Sequence, residues 1–325
     1  MADVYDLIII GAGPAGQSAA IYAARARLCT LWIDSSFIQG GQIADSALVD
    51  NYPGLPGRSG QELGELLAEH AKKLGMEPVR EKVLSVAETQ EGEAGFSGRC
   101  KIIRTKKNEY LAKTLIYAAG ASHRKLQIPG EEKFSGMGVS YCATCDGAFY
   151  KEMNVAVVGG GNTACEEALF LSRLCRKVYL LHRRASLRAD NILQELVMNT
   201  ENIEILWNTR PQEIVGEDAV KGIRISKGLP EAAEETFLPA EGVFIAVGME
   251  PNSGLLKSLV KLDEAGYIAA GEDCASSAEG IFAAGDVRTK QLRQVVTAVS
   301  DGANAVASVC RLLRTVRGRM RFQSV

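Results

Sequence analysis

The chain has 325 residues, of which 46% are hydrophobic, and a formal net charge of −2. This length exceeds one average domain and suits two, each with a sizeable core. A nearly neutral charge argues against a nucleic acid or a membrane surface as the main partner, because either would favour a basic face. The opening run MADVYDLIII has no basic n-region and is too short to span a bilayer. We therefore expect a cytoplasmic protein without a signal peptide or a membrane anchor.

The first predicted element is a buried strand, YDLIII at residues 5–10, which runs into the glycine motif GAGPAG and then into an Ala-rich helix. Strand, glycine turn and helix are the context of a dinucleotide-binding fingerprint. Gly11 allows the tight turn, Gly13 lets the backbone approach a pyrophosphate, and Gly16 lets the helix pack on the strand. The helix N-terminus attracts the phosphate charge. Asp34 ends the next apolar run, where a carboxylate can bind the ribose diol of FAD or NAD.

A local cysteine pair follows, Cys142-Ala143-Thr144-Cys145-Asp146. Two residues between the cysteines allow a small disulfide ring that opens and closes without large backbone movement, and such pairs often contain one thiol of lowered pKa. The alternatives are a zinc half-site or an unpaired structural pair. Zinc needs two further ligands at suitable spacing and none is evident, so we expect a redox pair and no metal. Asp146 is the nearest acid for the protons of the dithiol, and it also suits a turn cap. We expect most of the other six cysteines to be small buried hydrophobes.

A second fingerprint repeats the first. The strand NVAVV at residues 154–158 leads into GGGNTA and a second helical run. One such glycine motif is weak evidence, whereas two in the same context predict two nucleotide sites. His182 stands 23 residues after Gly159, as Asp34 stands 23 residues after Gly11.

Arginines surround this second position. The sequence continues as Arg183 and Arg184, with Arg188 further on. Guanidinium groups form charge-assisted bonds to a 2′-phosphate, which a carboxylate would repel. Two bonds of about 1.5–3 kcal/mol each would favour NADPH over NADH by roughly a hundredfold or more. The alternative is a solvated basic stretch at a strand end. The candidate NADPH-binding residues are Gly159, Gly161, Asn162, Thr163, His182, Arg183, Arg184 and Arg188.

FAD-type sequence returns near the C-terminus. Residues 115–121, LIYAAGA, and residues 280–287, GIFAAGDV, each predict a strand that ends in a glycine turn. Asp286 can accept a hydrogen bond from a ribityl hydroxyl, although a plain strand-end turn explains the stretch equally well. We predict an α/β fold with two Rossmann-like dinucleotide-binding domains. The NADPH domain, residues 123–248, is inserted into a discontinuous FAD domain, residues 1–122 and 249–325.

In their order and combination these motifs resemble those of the low-molecular-weight thioredoxin reductases, over essentially the whole chain. Larger disulfide reductases carry their cysteine pair after the first fingerprint, with a longer spacer, whereas this chain has Gly40-Gly41-Gln42 in that region. Asn51-Tyr52-Pro53-Gly54 and Arg293-Gln294 also match. The departures are modest: Ala119 where a Thr is common, Cys165 in the second helix, and Val295 after Arg293-Gln294.

The resemblance implies a homodimer, formed through the FAD domains, that passes electrons from NADPH through FAD and the cysteine pair to thioredoxin. It implies that Cys145 lies nearer the flavin and that Cys142 attacks the disulfide of the protein substrate. The expected FAD-binding residues include those of the first fingerprint. They are Gly11, Gly13, Pro14, Ala15, Gly16, Asp34, Gly41, Gln42, Asn51, Val83, Gly120, Gly285, Asp286, Arg293, Gln294 and Val295.

The placement of the motifs predicts a conformational change. The cysteine pair and the NADPH residues share the inserted domain, and one rigid domain cannot bring both to the flavin at once. We expect a rotation between two states, with pivots near residues 120–124 and 247–251. Rival interpretations are a reductase of another protein disulfide, a flavin-dependent dithiol oxidase that ignores NADPH, and a flavin-containing redox sensor without turnover. His182-Arg183-Arg184 argues against the oxidase.

Overall fold

The computed structural model describes residues 4–46, 49–90, 92, 98–228 and 234–322. The chain divides into two compact units. The first unit consists of Met1–Ala44, Tyr52–Ser122 and Glu250–Val325, and the second consists of Asp45–Asn51 and His123–Met249. The main part of the second unit thus lies between two points, which we call the crossings: the chain leaves the first unit after Ser122 and returns to it at Glu250. Residues 45–51, which we expected in the FAD domain, group instead with the second unit.

The elements before the first crossing are, in chain order, β1 (Val4–Ile10), α1 (Pro14–Arg25), β2 (Thr30–Asp34), α2 (Gly60–Lys73), β3 (Val79–Arg80), β4 (Val83–Glu88), β5 (Lys101–Thr105) and β6 (Glu109–Tyr117). Those that follow are β7 (Ala121–His123), β8 (Val139–Ser140), α3 (Ala143–Asp146), β9 (Asn154–Gly159), α4 (Asn162–Ser172), β10 (Lys177–Leu181), α5 (Asn191–Met198), β11 (Ile203–Leu206), β12 (Thr209–Gly216), β13 (Val220–Lys227), β14 (Glu234–Pro239), β15 (Gly242–Ala246) and β16 (Met249–Pro251). The last elements are β17 (Ile281–Ala283) and α6 (Val295–Phe322). Strands β7 and β16, which carry the two crossings, pair with each other.

The first unit is built on a sheet of order β3-β2-β1-β6-β5-β4, with β17 also paired to β6. Strand β1 is parallel to both of its neighbours, and Ile9 lies between Trp32 and Ile116. Leu7, Ile8 and Ile9 are fully buried, because both faces of a central parallel strand are covered. The apolar run read from the sequence is therefore the centre of this sheet.

Local sequence signals also fix the helices of the first unit. Helix α2 begins with a capping box: the Ser59 hydroxyl accepts from the Glu62 amide at 3.1 Å, and the Glu62 carboxylate accepts from the Ser59 amide at 2.9 Å. These two bonds satisfy amide groups that the first helical turn leaves unpaired. Helices α1 and α6 pack in one apolar cluster with the β1 face that carries Leu7 and Ile9.

The second unit contains a parallel sheet of order β11-β10-β9-β15-β8 and an antiparallel sheet of order β12-β13-β14. Side chains alternate along β9 between two apolar clusters. Val155 and Val157 pack in the cluster that includes α4, whereas Ala156 and Val158 pack on the opposite face. The loop after β9 and the N-terminus of α4 therefore lie at the carboxyl edge of a central parallel strand, where α/β proteins bind ligands.

Candidate functional site

The turn after β1 is shaped by its glycines. Gly11 has a φ of +109°, and a Cβ there would lie 2.3 Å from the carbonyl oxygen of Ala118. A Cβ on Gly16 would lie 1.9 Å from the carbonyl oxygen of Gly11. At Gly13 the nearest atom to such a Cβ would be the Gly40 oxygen, at 3.9 Å. Gly11 and Gly16 are thus required by the fold, whereas Gly13 keeps space open in front of α1.

The N-terminus of α1 is suited to a phosphate. Pro14 occupies its first turn, that turn has no acidic residue, and no described side chain caps it. The free amide groups and the helix dipole therefore favour an anion in the open space beside Gly13. Gly41 and Gly285 close the same region: a Cβ on Gly41 would lie 3.3 Å from Gly13 Cα, and one on Gly285 would lie 2.9 Å from the Cβ of Ala15.

Asp34 ends β2 beside this turn. Its Oδ2 accepts hydrogen bonds from the Ser36 amide at 2.9 Å and from Arg80 Nη1 at 3.3 Å. Burial raises the pKa of Asp34, while the Ser36 amide, Arg80 and the Ala12 amide oppose the shift. The interaction with Ala12 shows that the carboxyl reaches the glycine turn, as a ribose-binding residue must. Arg80, which orients it, was not identified from the sequence.

Asp286 and Arg293 each carry a buried atom without a partner among the described residues. These atoms are Asp286 Oδ1 and Arg293 Nε. Burial raises the pKa of Asp286, and Lys290 and Arg293 oppose the shift. The Arg293 guanidinium lies 4.0 Å from the centre of the Tyr267 ring. Buried polar atoms normally have partners, so these orphaned atoms are those that a bound polar ligand would satisfy.

A buried ionic network holds the Gly285-Asp286 turn. Asp301, on α6, accepts from the Gly285 amide at 2.9 Å, from Arg288 at 2.6 and 2.9 Å, and from Lys290 at 2.8 Å. The side chains of Arg288, Lys290 and Asp301 are at most 10% exposed. The sequence motifs did not single out this network, because its members carry no nucleotide-binding signature.

The remaining candidates of the first unit are less enclosed. Gln42 is exposed in the short helix Gly41–Asp45, and Val83 is half-buried at the start of β4. Gly120 has a φ of +67° in the turn after β6. Gln294 and Val295 are half-buried at the start of α6. Asn51 is exposed and falls in the segment that groups with the second unit, so the first unit does not contain it.

The second glycine turn presents a similar open helix N-terminus. Helix α4 has Gly161 as its N-cap residue, no acid in its first turn and no cap from a described side chain. A Cβ on Gly161 would meet nothing within 4 Å. Thr163 is exposed here. The Asn162 side chain is occupied by Asp190, through bonds of 2.8 and 2.9 Å, so Asn162 offers a ligand its backbone rather than its amide group.

Arg183, Arg184 and Arg188 are exposed in the loop after β10, and none forms an ion pair with another described residue. The Arg188 amide donates to the Gly160 carbonyl at 2.7 Å. The loop that carries the arginines is therefore fastened to the glycine turn. Three free guanidinium groups beside an open helix N-terminus fit a nucleotide that has an additional phosphate.

His182, which we expected to bind the nucleotide, is placed differently from these exposed arginines. The ring is buried, with Nδ1 at 2.9 Å from the Gly159 carbonyl and Nε2 at 2.8 Å from the Ser186 carbonyl. Both nitrogens are thus used inside the fold. A Cβ on Gly160 would lie 2.1 Å from Nδ1, so the glycine makes room for the ring. His182 joins the glycine turn to the arginine loop.

Cys142 and Cys145 form a disulfide, with Cα atoms 5.3 Å apart. Cys142 is the N-cap residue of α3, and Cys145 lies within the helix. The other six cysteines are free and four of them are buried, as expected of small hydrophobes. The described residues contain no group of His, Cys, Asp and Glu able to hold a metal ion.

Two buried carboxyl groups flank the disulfide. Asp146 Oδ2 accepts from the Ser140 hydroxyl at 2.6 Å, and its Oδ1 is buried without a described partner. Burial raises the pKa of Asp146, and Ser140 opposes the shift. The side chain does not cap the turn that follows, contrary to our secondary expectation. Glu167, on α4, accepts from the Ala143 amide at 3.3 Å. It was missed from the sequence because it belongs to no motif.

Comparison with known proteins agrees with this architecture. The model of the pyridine nucleotide-disulphide oxidoreductase family matches residues 5–302. The chain belongs to this family. Of the helices in the described ranges, none combines the length and apolar character that spanning a bilayer requires.

Among the relatives within this oxidoreductase family are thioredoxin reductases. That of Bacillus subtilis (strain 168) is 44% identical over 306 residues, which cover 94% of each chain. That of Peptoclostridium litorale is 42% identical over 310 residues, covering 94% of this chain and 96% of its own. The crystal structure of thioredoxin reductase from Streptococcus pyogenes MGAS5005 has a TM-score of 0.87 and 40% identity, covering 96% of this chain and 99% of that one. The resemblance, the Rossmann-like α/β fold and the oxidoreductase class read from the sequence are confirmed, as are FAD and NADPH as the cofactors of the family.

Proposed function

We propose that the protein reduces the disulfide of oxidised thioredoxin with electrons from NADPH. The observation that carries the proposal is the Cys142–Cys145 disulfide beside a buried acid, in a chain that also contains two open nucleotide-type turns. The thioredoxin reductases named above, 44% and 42% identical over nearly the whole chain, support thioredoxin as the substrate.

In this proposal the first unit binds FAD. The open N-terminus of α1 receives the pyrophosphate, and Asp34 receives the ribose diol of the adenosine. Asp286 and Arg293 have buried atoms that need partners, which supports contacts with the polar groups of the cofactor. When bound, FAD supplies a two-electron relay between NADPH and the disulfide. We assign the same site to the other candidates in the first unit, and assign Asn51 to it from the family resemblance alone.

The second unit binds NADPH. Its pyrophosphate lies at the open N-terminus of α4, and its 2′-phosphate is held by Arg183, Arg184 and Arg188. The absence of ion-pair partners for these arginines among the described residues supports this role, because unpaired guanidinium groups are available to an anion. His182 acts as a positioning residue behind them.

The protein chemistry takes place at the cysteine pair. Once the pair is reduced, the Cys142 thiolate attacks a sulfur of the thioredoxin disulfide and forms a mixed disulfide. Cys145 then attacks the Cys142 sulfur, which releases reduced thioredoxin and restores the Cys142–Cys145 bond. Asp146 is the acid that we assign to proton transfer at the sulfurs, and burial raises its pKa from the ordinary value, in the direction that such a role needs.

The distribution of these sites supports a rotation of one domain during turnover. The cysteine pair and the NADPH residues belong to the second unit, whereas the FAD residues other than Asn51 belong to the first. Two groups on one rigid body cannot occupy the same face of the flavin at once. The pivots we propose are residues 120–124 and 247–251, which include both crossings of the chain. We also propose a cytoplasmic location, because free cysteines persist where thiols are kept reduced. The homodimer is proposed from the family resemblance alone.

A coupled assay tests the function. The flavin-loaded protein, NADPH and a generic thioredoxin with a chromogenic disulfide should consume NADPH continuously. Cys142→Ser should abolish reduction of thioredoxin yet leave reduction of the flavin by NADPH intact, whereas Cys29→Ser, at an exposed free cysteine, should leave both unchanged. Continued thioredoxin reduction by Cys142→Ser would contradict the mechanism. A panel of other protein disulfides, assayed in parallel, separates thioredoxin from other substrates.

A further inference from the structure

A carboxyl group beside the redox pair has no role in the mechanism above. Glu167 Oε1 accepts a hydrogen bond at 3.3 Å from the N–H of Ala143, which belongs to the peptide that follows Cys142. Its Oε2 is buried and has no hydrogen-bond partner among the described residues. A buried carboxylate normally has partners for both oxygens, so this environment suits a carboxyl that can be neutral.

The surroundings of Glu167 do not neutralise a negative charge. The apolar cluster that includes α4 contains Val155, Val157 and Phe244, from β9 and β15. The charge that acts on Glu167 is that of its exposed neighbour Glu166, which is of the same sign. Burial raises the pKa of Glu167 to about 7, and the Ala143 amide only partly opposes the shift.

Burial also raises the pKa of the other titratable groups near the pair. Asp146, on α3, has a pKa raised by burial. Tyr150 follows α3, and burial, with Asp146 and Cys175 nearby, raises its pKa to about 12. Cys165, on α4, and Cys175, after it, each have a pKa raised to about 11, mainly by burial. No described lysine or arginine offsets the burial of Asp146 or Glu167.

We infer that Glu167 is a redox-coupled proton site, which takes up a proton when the Cys142–Cys145 pair is reduced and releases it when the pair is oxidised. The inference rests on the proposed function, which supplies the electrons. Reduction breaks the S–S bond, places two electrons on the sulfurs and adds one proton, leaving a thiol and a thiolate. A second proton enters on the Glu167 carboxylate, so that two negative charges do not stand together. When the S–S bond forms again, both protons leave. Glu167 is a positioning residue, since it acts through the peptide next to Cys142.

The coupling has a defined direction and pH window. Below pH 7 Glu167 is already protonated in the disulfide form, so reduction adds nothing there. Above pH 7 the disulfide form carries a charged Glu167, and the new thiolate raises the pKa of that carboxyl further. As pH rises, reduction of the disulfide therefore becomes less favourable than it would be if the residue beside the pair were always neutral. The equilibrium constant differs by about tenfold for each unit by which reduction raises the pKa of Glu167.

The test is a thiol titration of the pair in the flavin-loaded protein. Wild type, Glu167→Gln and the control Glu195→Gln, an exposed carboxyl on α5, are equilibrated with oxidised and reduced dithiothreitol at pH 6 to 9. Free thiols are trapped with a maleimide and quantified on the peptide that contains Cys142 and Cys145. The equilibrium constant of Glu167→Gln, divided by that of wild type, should be near one at pH 6 and rise to about tenfold by pH 9. The control should follow wild type.

A ratio that stays constant across this range would overturn the inference. Infrared difference spectra of wild type provide a second readout that needs no variant to fold: reduction at pH 8 should add a protonated carboxyl band, and its absence overturns the inference equally. Neither measurement uses NADPH or thioredoxin. A pair that shows the coupling yet fails to reduce thioredoxin would contradict the proposed function alone, and an active enzyme with a constant ratio would contradict only the role of Glu167.

Discussion

One buried carboxyl site in each unit shows how differently such groups can be partnered. In the first unit, Asp301 forms buried ion pairs with Arg288 and Lys290, at 2.6 and 2.8 Å. In the second unit, among the described residues, Asp146 receives a hydrogen bond from a hydroxyl and Glu167 one from a backbone amide, and neither forms an ion pair. A carboxylate that shapes a binding turn must keep its charge, whereas one that exchanges protons must lose it easily. The partners of each carboxyl group therefore indicate whether it holds a binding turn in place or exchanges protons.

Removal of the charge of Asp301 should have the largest effect. Asp301→Asn keeps the shape of the side chain but leaves Arg288 and Lys290 buried without an anion, which should cost about 3–5 kcal/mol. The release of flavin on heating, followed by its fluorescence, should then occur roughly 10 °C lower. The control Asp218→Asn, at an exposed position, should not shift this temperature. An unchanged transition in Asp301→Asn would show that the network does not stabilise the first unit.

The second prediction concerns the arginine loop, because the two nucleotide-type sites differ most in charge there: the second has arginines where the first has Asp34. Arg183→Ala combined with Arg184→Ala should reduce kcat/KM for NADPH by roughly a hundredfold, because two charge-assisted bonds are lost. The value for NADH, which has no 2′-phosphate, should change little. Steady-state kinetics with both nucleotides measure the ratio, and Arg176→Ala, an exposed arginine after α4, is the control. Equal losses with both nucleotides would refute a role in phosphate recognition.

How much of the structure could be predicted from the sequence depends on how far apart along the chain the interacting residues lie. Strand β1, its glycine turn and α1 are specified by contiguous residues, so their pattern is legible along the chain. The disulfide between Cys142 and Cys145 is equally local. Asp301 lies 16 residues from the Gly285 amide that it binds, and Glu167 lies 24 residues from the Ala143 amide. Such contacts exist only after packing, and no spacing rule reveals them.

Substitution of Glu167 should change stability in a direction that depends on pH. Its pKa of about 7 lies above the value of 4.5 for an unburied glutamate, so the folded state binds more protons between these values. Stability from this group is complete below pH 4.5 and is lost as pH rises through 7. Glu167→Gln, which cannot ionise, should therefore gain about 2–3 kcal/mol of stability relative to wild type between pH 5 and pH 8. Denaturant unfolding at both pH values measures this difference. Glu195→Gln should show no such divergence, and a Glu167→Gln variant that loses stability relative to wild type over this range would contradict the sign.

The smallest effect on nucleotide choice is expected at His182, although it occupies the same register as Asp34. Asp34 is turned toward its glycine turn and is available to a ribose, whereas both nitrogens of His182 face carbonyl groups of the protein. Sequence spacing gives the register of His182 but could not give the orientation of its ring. His182→Ala should loosen the link between the glycine turn and the arginine loop, which raises KM by about fivefold, or roughly 1 kcal/mol. Because the ring contacts no phosphate, the increase should be the same for NADPH and NADH, and kcat for the bound nucleotide should be retained.

Arg183→Ala is the matched comparison, since it should raise KM for NADPH while that for NADH stays constant. The two patterns separate a residue that positions the loop from one that reads the phosphate, even when the losses with NADPH are similar in size. If His182→Ala weakened NADPH and spared NADH, the histidine would have to leave its carbonyl partners and face the nucleotide, and the division of roles between the buried ring and the exposed arginines would be wrong.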